Sequence, residues 1–539
     1  MMHLNKYTKI GMAISSGLLL SIAYTQWHMG WIILIGFVPL LILEEYAQQQ
    51  KTCSGHSLFG YAFLAFMVWN IISTYWIYYA TAAGSIFALG LNALFMTVLF
   101  VLYHKIKIRL NRNEAYIALV VLWVAFEFFY MKVKLSWPWL NLGNSFANNV
   151  QWIQWYEFTG TLGGTIWVLI SNLLIFEIFR RRFMLAKPEK SPVRKHIISL
   201  AIILIVPLTL SLIRYHNYEE QGKDQEVVVL QPNIDPYKQK FSGSVMEQLQ
   251  NMLHLTDSVI SKNTDYVVFP ETALPLYIDE DSIPFENDGH IKILRQFNQE
   301  YPDTKFIVGL TSRKFYNNKK DVSPTAHKYQ DFWFDEFNTA MQIDTSGVQQ
   351  FYHKSKLVPG VESIPYVDNW KWLNKFIINL GGPRNSLGYD THPSTFISPD
   401  DSVQVAAIIC YESVYGEYVS SFVRLGANLI FIMTNDGWWR DTPGYKQHAA
   451  YARLRAIETR RAVARSANTG ISSIINQRGD IVDYRGWWTE TVIKGTVKTN
   501  DKMTFYARFG DYPGRISAFL AALILLHWIS NLLMRRKNR

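Results

Sequence analysis

Three short segments lie far apart in the chain. Each carries one reactive side chain at the end of a predicted strand. They are 269–275 with Glu271, 352–359 with Lys354 and 408–413 with Cys410. A carboxylate, an ammonium group and a thiol are the parts of a covalent acyl transfer. The thiol attacks a carbonyl, the carboxylate takes and returns a proton, and the cation holds the developing oxyanion. The sequence therefore predicts an acyl-transfer site built on a cysteine.

Strands and helices alternate through the region that carries these residues. Apolar and β-branched runs predict strands at 226–231, 266–269, 306–310, 339–343, 348–352, 403–409, 429–433 and 470–475. Helical spacing of apolar residues covers 243–261, and Gly479-Asp480 is typical of a hairpin turn. Strands interleaved with helices and hairpins indicate a mixed α/β sandwich, in which strand ends that are distant in sequence can converge at one edge.

Cys410 lies directly after a predicted buried strand and just before a helical stretch at 414–425. A position near a helix N-terminus favours the thiolate, because the positive end of the helix dipole lies there. We therefore expect a stabilised thiolate. His353 could act as the base of a Cys–His pair, but neighbours on a strand point to opposite faces, so His353 and Lys354 cannot both face the site.

The N-terminal part of the chain is apolar and rich in aromatic residues. About eight runs have roughly the length that a bilayer requires; they lie near 10–25, 28–43, 57–80, 84–104, 114–133, 160–179, 196–213 and 514–534. An acyl-transfer site in such a chain suggests that the acyl group comes from a lipid. Lys6 and Lys9 before the first run also fit a signal peptide, but no convincing cleavage site follows, so we expect this run to be retained.

The formal net charge of +10 is placed in clusters. Basic residues follow the fourth and the last predicted spans and fill the connection between the sixth and seventh. With eight spans these clusters share one face, which the positive-inside rule makes cytoplasmic. Both termini are then expected inside and the region 225–500 outside. We interpret the excess of basic residues as a signal of membrane topology, and we expect no nucleic-acid partner.

The chain has two cysteines. Cys53 is expected on the cytoplasmic side and Cys410 on the external side, so they cannot pair, and Cys410 should be a free thiol. A buried structural cysteine is the alternative. Scattered histidines and the absence of a glycine-rich loop after any strand predict neither a metal nor a nucleotide cofactor. The arginine-rich run 453–465 is more typical of a solvated or salt-bridged helix than of an anion site.

The ordered Glu, Lys and Cys segments resemble the nitrilase/amidase superfamily. Over nearly the whole chain the motifs resemble its membrane-embedded branch, the apolipoprotein N-acyltransferases. The matching segments are LQPNI at 230–234, PETALP at 270–275, FNTA at 337–340, YHKSKLVP at 352–359, CYE at 410–412, TNDGWW at 434–439, QH at 447–448 and WPWL at 137–140. Each is weak alone, but together and in order they are specific.

The resemblance implies an αββα nitrilase-like sandwich with Glu271 as general base, Lys354 as oxyanion stabiliser and Cys410 as nucleophile. It also implies supporting or substrate-binding roles for Glu362, Asn338, Tyr411 and Glu412.

Two segments depart from the family pattern. Gly360-Val361 precedes Glu362 where the family usually has Phe-Gly, so the turn is expected to differ. Phe241 stands where the family usually has tryptophan, which leaves the donor or acceptor pocket open.

The expected organisation has three parts. A membrane domain with about seven helices covers 1–220, a periplasmic catalytic domain covers 221–505, and a membrane helix with a basic cytoplasmic tail covers 506–539. The resemblance implies a bacterial inner-membrane enzyme, a phospholipid acyl donor and a diacylglyceryl-modified apolipoprotein acceptor. Two other hypotheses stay open: a membrane-anchored amidase that uses water, and a non-catalytic lipoprotein-binding module. About eight spans exceed what tethering an amidase needs.

Overall fold

The computed structural model describes residues 4–25, 27–50, 55–185, 190–280, 288–316, 318, 320–330, 332–347, 349–363, 386–397 and 402–537. Cys53 lies outside the described residues. The chain divides into two compact units. The first comprises Met1–Tyr75, Ser85–Asn217 and Phe509–Arg539, and the second comprises Trp76–Gly84 and Tyr218–Arg508.

The helices are numbered along the whole chain. They are α1 (Lys6–Ile22), α2 (Ile33–Gly36), α3 (Val38–Gln50), α4 (Gly55–Thr74), α5 (Ile77–Ala80), α6 (Ala82–Lys107), α7 (Arg112–Tyr130), α8 (Tyr156–Phe179), α9 (Lys190–Asn217), α10 (Val245–Asp257), α11 (Gly289–Glu300), α12 (Gly416–Arg424), α13 (Pro443–Thr459), α14 (Phe505–Phe509) and α15 (Tyr512–Lys537).

The first unit is helical and apolar. Among the described residues, seven segments are long and apolar enough to cross a membrane: Gly30–Gln49, Ser57–Thr74, Gly84–Lys107, Arg112–Tyr130, Tyr156–Met184, Val193–Asn217 and Tyr512–Met534. The last two expose most of their apolar side chains, as lipid-facing helices do. The eighth expected span is α1, whose 17 residues extend about 26 Å, slightly less than a hydrocarbon core of about 30 Å. α1 packs with one face on the unit, where Gly17 lies against Ala65 and Val68 of α4.

The second unit carries fourteen strands in the described part of the chain. They are β1 (Asp224–Gln231), β2 (Tyr266–Val268), β3 (Leu274–Asp279), β4 (Lys305–Tyr316), β5 (His327–Tyr329), β6 (Phe332–Ile343), β7 (Gln350–His353), β8 (Phe396–Ile397), β9 (Gln404–Ile409), β10 (Leu429–Thr434), β11 (Val463–Ala467), β12 (Ser472–Ile475), β13 (Ile481–Arg485) and β14 (Thr491–Lys498).

These strands form two mixed sheets. The first has the order β14-β1-β2-β4-β6-β5, with β3 also on β4 and β7 also on β6; the second has the order β13-β12-β11-β10-β9-β8. β1, β2 and β4 are parallel to one another, as are β9, β10 and β11, while hairpin neighbours are antiparallel. The mixed α/β sandwich expected from the sequence is confirmed.

Alternation along β1 explains the layers. Val228 and Leu230 join a core with α10 and α11, whereas Val227 and Val229 join a second core with β9, β10 and β11. Successive side chains of a strand point to opposite faces, so β1 contributes to both cores. The rings of Tyr266 on β2 and Phe431 on β10 meet edge to face at 5.2 Å, which joins the two sheets face to face. Helices α12 and α13 also pack on the second core, giving the αββα order.

Candidate active site

Cys410 occupies a strained turn at the end of β9. Its φ of 50° lies in the left-handed region that few non-glycine residues adopt, and a 3₁₀ helix, Cys410–Val414, begins at this residue. The turn is closed by Glu412, whose Oε2 accepts the backbone N–H of Ile409 at 2.9 Å. The hydroxyl of Ser413 donates to the carbonyl oxygen of Cys410 at 2.7 Å. A short strand-to-helix turn of this kind fixes the direction of one side chain, here a free and buried thiol.

Glu271 lies in the loop after β2, and a neighbouring glycine makes room for it. A Cβ on Gly309 of β4 would lie 2.3 Å from the carbonyl oxygen of Pro270 and 3.0 Å from the Cα of Glu271. Both contacts are with backbone atoms, which cannot rotate away. Gly309 therefore lets the Glu271 loop pass directly over the sheet. The ammonium group of Lys240 donates to the carbonyl oxygen of Glu271 at 2.8 Å.

Lys354 follows β7 and pairs with two carboxylates. Its Nζ lies 3.0 Å from Oε1 of Glu271 and 2.8 Å from Oε1 of Glu362. The side-chain amide of Asn338 donates to both of these oxygens, at 2.8 Å and 3.2 Å. The backbone N–H of Lys354 donates to the carbonyl oxygen of Asn338, which fixes the start of the lysine side chain. Four of the residues named from the sequence are thus brought into one buried cluster.

The charges of this cluster set its protonation. Burial alone would raise the pKa of Glu271, but the Lys354 ammonium and the hydrogen bonds from Lys354 and Asn338 outweigh it and hold the pKa below its usual value. Burial likewise opposes the charge on Lys354, yet Glu271 and Glu362 raise the pKa of that ammonium well above its usual value. Glu271 is therefore an ionised base, and Lys354 is a permanent cation.

The thiol behaves differently from the sequence-based expectation. Burial raises the pKa of Cys410 above its usual value, the Glu271 carboxylate raises it further, and the Lys354 ammonium opposes them. The helix expected after Cys410 is present and begins at Gly416, but the expected thiolate is not favoured, because burial and the Glu271 carboxylate outweigh the Lys354 ammonium. The site combines a thiol of raised pKa with a carboxylate of lowered pKa. Such a pair favours transfer of the proton during attack, as in general-base catalysis.

Glu412 connects the elements that carry Cys410 and Lys354. Its Oε1 accepts the hydroxyl of Tyr352 at 2.5 Å and the backbone N–H groups of Ser355 and Lys356, the two residues that follow Lys354. Burial raises the pKa of Glu412 to about 7, although these hydrogen bonds oppose the shift. Glu412 thus ties the turn after β9 to the end of β7. It holds the geometry of the site from behind the reacting groups.

A second buried cluster contacts the backbone of Cys410. Nε2 of His448 lies 3.2 Å from the carbonyl oxygen of Cys410 and 3.0 Å from Oγ of Ser413. Nδ1 of His448 lies 2.9 Å from Oδ1 of Asp436, and Arg465 donates to Oδ2 of Asp436 at 2.7 Å. The sequence motifs included Asp436 and His448 without giving either a role. Only the fold shows that they support the nucleophile turn.

Arg465 corrects one expectation. It belongs to the arginine-rich run that the sequence indicated to be solvated or salt-bridged. Arg455, Arg461 and Arg465 are buried instead, and α13 ends at Thr459, inside the run. Arg455 and Arg465 do form salt bridges, with Glu458 at 3.0 Å and with Asp436 at 2.7 Å, so the salt-bridged part of the expectation holds for these two residues and only the solvated part is wrong. Long charged side chains in a run of this composition usually lie at the surface, which is why the sequence misled.

Lys240 is a functional candidate that the sequence analysis missed. It is buried beside Glu271 and Cys410, and burial lowers its pKa to about 8 although those two groups oppose the shift. Its sequence context gives no signal, because Lys238 alternates with it in the same loop and is exposed. Only the fold around the Glu271 loop distinguishes the two lysines.

The remaining candidates lie at the edge of the site. The imidazole of His353 lies between Glu280, at 2.7 Å, and Asp390, at 3.0 Å, and faces away from Lys354, as strand geometry predicts. Burial opposes protonation of His353, but hydrogen bonds to these carboxylates raise its pKa to about 9. Tyr411 is buried, with its ring edge-on to that of Tyr415 at 5.3 Å. Phe241 is 60% exposed and stacks on Trp438 at 6.2 Å.

No group of three or more His, Cys, Asp or Glu among the described residues is arranged to hold a metal ion. The described site consists of protein side chains that exchange protons and hold charge.

Comparison with known proteins identifies the family. The family model of the apolipoprotein N-acyltransferase N-terminal domain matches residues 16–174, and that of the carbon-nitrogen hydrolases matches residues 227–502. An apolipoprotein N-acyltransferase of Chlorobaculum tepidum is 30% identical over 95% of each chain. One of Geobacter metallireducens is 25% identical over 93% of this chain and 91% of its own. One of Haemophilus influenzae is 25% identical over 99% of this chain and 97% of its own. The chain belongs to the apolipoprotein N-acyltransferase family.

Proposed function

We propose that the protein transfers an acyl chain from a membrane phospholipid to the α-amino group of an N-terminal S-diacylglyceryl-cysteine. One observation carries this proposal: the Cys410 thiol lies where the charges of both Glu271 and Lys354 act on it, in a chain that also has the membrane domain of this family. A thiol, an ionised base and a fixed cation form the minimal apparatus for acyl transfer through a thioester.

The first half-reaction forms the thioester. Glu271 accepts the thiol proton as the sulfur of Cys410 attacks an ester carbonyl of the phospholipid. Lys354 uses two N–H groups on Glu271 and Glu362, and its third is available for the oxyanion. The ester C–O bond then breaks, and the proton on Glu271 passes to the departing oxygen. The products are an acyl-enzyme and a lysophospholipid.

The second half-reaction returns the enzyme to its free-thiol form. The α-amino nitrogen of the acceptor attacks the thioester carbonyl, Lys354 again holds the oxyanion, and the C–S bond breaks. Glu271 moves the proton lost by the amine to the departing sulfur, so an amide forms and the thiol is restored. A thioester reacts readily with an amine when water is excluded. The same residues therefore serve both halves of a ping-pong cycle.

The membrane unit suits lipid substrates on both sides of this cycle. We propose an inner-membrane location with the second unit on the periplasmic side and both termini in the cytoplasm. The support is the distribution of basic residues, which gather after α6, between α8 and α9, and at the end of α15. Protease accessibility of the second unit from one side of sealed vesicles tests the orientation.

The proposed reaction is tested by trapping the acyl-enzyme. Purified protein in a bilayer is mixed with phospholipid carrying a labelled acyl chain and then chased with a synthetic diacylglyceryl-cysteine peptide. We expect label on wild-type protein that hydroxylamine releases, no label on Cys410→Ala, and movement of the label to the peptide amine. Label that passes only to water would indicate a membrane-anchored amidase or hydrolase instead. Absence of label on folded wild-type protein would leave the non-catalytic lipoprotein-binding module as the remaining hypothesis.

A further inference from the structure

Arg440 has a backbone conformation that is almost confined to glycine. It follows the 3₁₀ helix Asp436–Trp439, and its φ and ψ are 54° and −168°. Strain of this kind persists only where the surrounding structure enforces it, and it gathers at active sites and ligand clamps. A long cationic side chain thus stands at a position where glycine would fold more easily.

The side chain of Arg440 lies between two tyrosine rings. Its guanidinium carbon is 4.9 Å from the ring centre of Tyr79 and 5.9 Å from that of Tyr237. The hydroxyl of Tyr237 lies 2.7 Å from the carbonyl oxygen of Trp438, the residue whose ring also packs on Phe241. Stacking on aromatic faces holds a guanidinium in place while its N–H edge stays open to an anion.

No carboxylate neutralises this arginine within the described residues. The adjacent Asp441 lies beside Lys446 and accepts a hydrogen bond from the hydroxyl of Tyr445. Arg440 itself is exposed. A fixed, exposed and uncompensated guanidinium is suited to phosphate, because its planar fork matches two phosphate oxygens.

One wall of the aromatic cage lies close in sequence to two membrane-crossing segments, Ser57–Thr74 and Gly84–Lys107. Tyr79 lies in the short connection between α4, which ends at Thr74, and α6, which begins at Ala82. The ends of membrane-crossing helices lie at the level of the lipid headgroups.

The cage also adjoins the nucleophile. The ring of Trp439, the residue before Arg440, lies 5.5 Å from the ring of His448. His448 in turn contacts the carbonyl oxygen of Cys410. The segment that carries Arg440 is thus connected through Trp439 and His448 to the turn that carries Cys410.

We propose that Arg440 binds the phosphodiester of the acyl-donor phospholipid while an ester carbonyl of the same lipid lies at Cys410. This inference rests on the proposed function. The diacylglyceryl-cysteine acceptor has a glyceryl group and acyl chains but no phosphate. Arg440 therefore acts in the donor half-reaction and leaves the acceptor half-reaction unchanged.

The test compares two acyl donors in Arg440→Gly and Arg440→Lys. Acylation of Cys410 is followed with phospholipid and with p-nitrophenyl palmitate, which has an acyl ester but no phosphate. For Arg440→Gly we expect a rise of roughly ten- to a hundredfold in KM for phospholipid. The KM for the nitrophenyl ester and the rate of transfer from preformed thioester to peptide should stay at wild-type values. The KM of Arg440→Lys for phospholipid should lie between those of wild type and Arg440→Gly, because lysine keeps the positive charge but lacks the planar fork of N–H donors.

Controls separate this proposal from folding and from the proposed function. Glycine relieves the strained φ, so the thermal midpoint of Arg440→Gly should equal or exceed that of wild type. Lys446→Ala removes a nearby exposed charge and should leave both KM values unchanged. Wild-type protein that forms no acyl-enzyme from phospholipid would defeat the proposed function itself.

Three results with active wild-type protein would overturn the role of Arg440. The first is an unchanged KM for phospholipid in Arg440→Gly. The second is an equal rise in KM for both donors, which would indicate a distorted pocket. The third is inhibition by inorganic phosphate that Arg440→Gly abolishes without any change in KM for phospholipid, which would indicate a site for free phosphate.

Discussion

Two buried charge clusters lie around Cys410, and we expect them to serve different tasks. The first contains Glu271 and Lys354, whose charges act on the thiol. The second contains Asp436, His448 and Arg465 and contacts the carbonyl oxygen of the same residue. Both are almost fully buried, so burial alone does not distinguish a reacting cluster from a supporting one.

The two clusters differ in whether all of their hydrogen-bonding atoms already have partners. Both carboxylate oxygens of Asp436 are occupied, Oδ1 by Thr434 and His448 and Oδ2 by Arg465. In the described part of the chain the Lys354 ammonium donates to Glu271 and Glu362, which leaves one of its three N–H groups for the oxyanion that we propose, and the Glu271 carboxylate is the base that we propose for the thiol. A completed network rigidifies the backbone, whereas an incomplete one can take up charge in a transition state. We therefore expect proton transfer to depend on the first cluster and positioning on the second.

The largest expected effect is that of Glu271→Gln. The amide keeps the shape but cannot accept the thiol proton, so single-turnover acylation by labelled phospholipid should slow by about 10² to 10⁴-fold. Alkylation of Cys410 by iodoacetamide should slow as well, because it needs the same proton transfer. Glu336→Gln, on β6 and paired with Arg313, is the matched control. A loss of less than about tenfold, on the same scale, would assign the base to another residue.

The second-largest effect is expected for Gly309→Ala, in which the acylation rate should fall about a hundredfold. A shift of roughly 1 Å in a reacting group has a cost of that size. The added Cβ would push on the backbone of Pro270 and Glu271. Gly289→Ala is the control, since a Cβ there meets nothing within 4 Å. If Gly309→Ala keeps the wild-type acylation rate and thermal midpoint, the rate does not depend on the close approach of the Glu271 loop to residue 309.

A smaller and more selective effect is expected for His448→Gln. Loss of the ring between Asp436 and the Cys410 carbonyl loosens the turn, so acylation should fall roughly tenfold, as for one or two hydrogen bonds. Iodoacetamide is small and has few geometric demands, so its reaction with Cys410 should change little. A parallel loss in both assays, like that of Glu271→Gln, would erase the proposed division between the two clusters.

The smallest expected effect is the pH dependence that Lys240 imposes. The Lys354 ammonium holds the pKa of Glu271 below its usual value, so its carboxylate is protonated only at a pH below the ordinary range of a glutamate. Lys240 has a pKa of about 8 and loses its charge as the pH rises through that value. Its ammonium favours negative charge developing on the sulfur, so the acylation rate should decline severalfold above pH 8.

Lys240→Met should remove this alkaline decline and show the lower rate throughout. Lys238→Met, in the same loop and exposed, should keep the wild-type profile. A wild-type rate that instead rises between about pH 7 and 9 would indicate attack by a pre-formed thiolate.

Several features of the fold were predictable because local patterns carry them. The strands at β1, β9 and β10 are β-branched runs between turn residues, and the apolar helices have the length of a bilayer. Cys410, Lys354 and Glu271 stood out because each follows such a strand. Burial of Lys240 and Arg465 was not predictable, because a lysine or an arginine has no local signal that separates a surface position from a buried one.

By itself, the sequence determined the mixed α/β domain, the membrane helices and the identity of the candidate nucleophile, base and cation. Hydrophobic periodicity and the order of strand ends are enough for that. The tertiary structure alone decided that burial raises the pKa of the thiol, that Glu412 joins the two strand ends, and that Arg440 lies in an aromatic cage. Protonation and positioning depend on which charges and dipoles meet in space, and residues that are distant in sequence supply them.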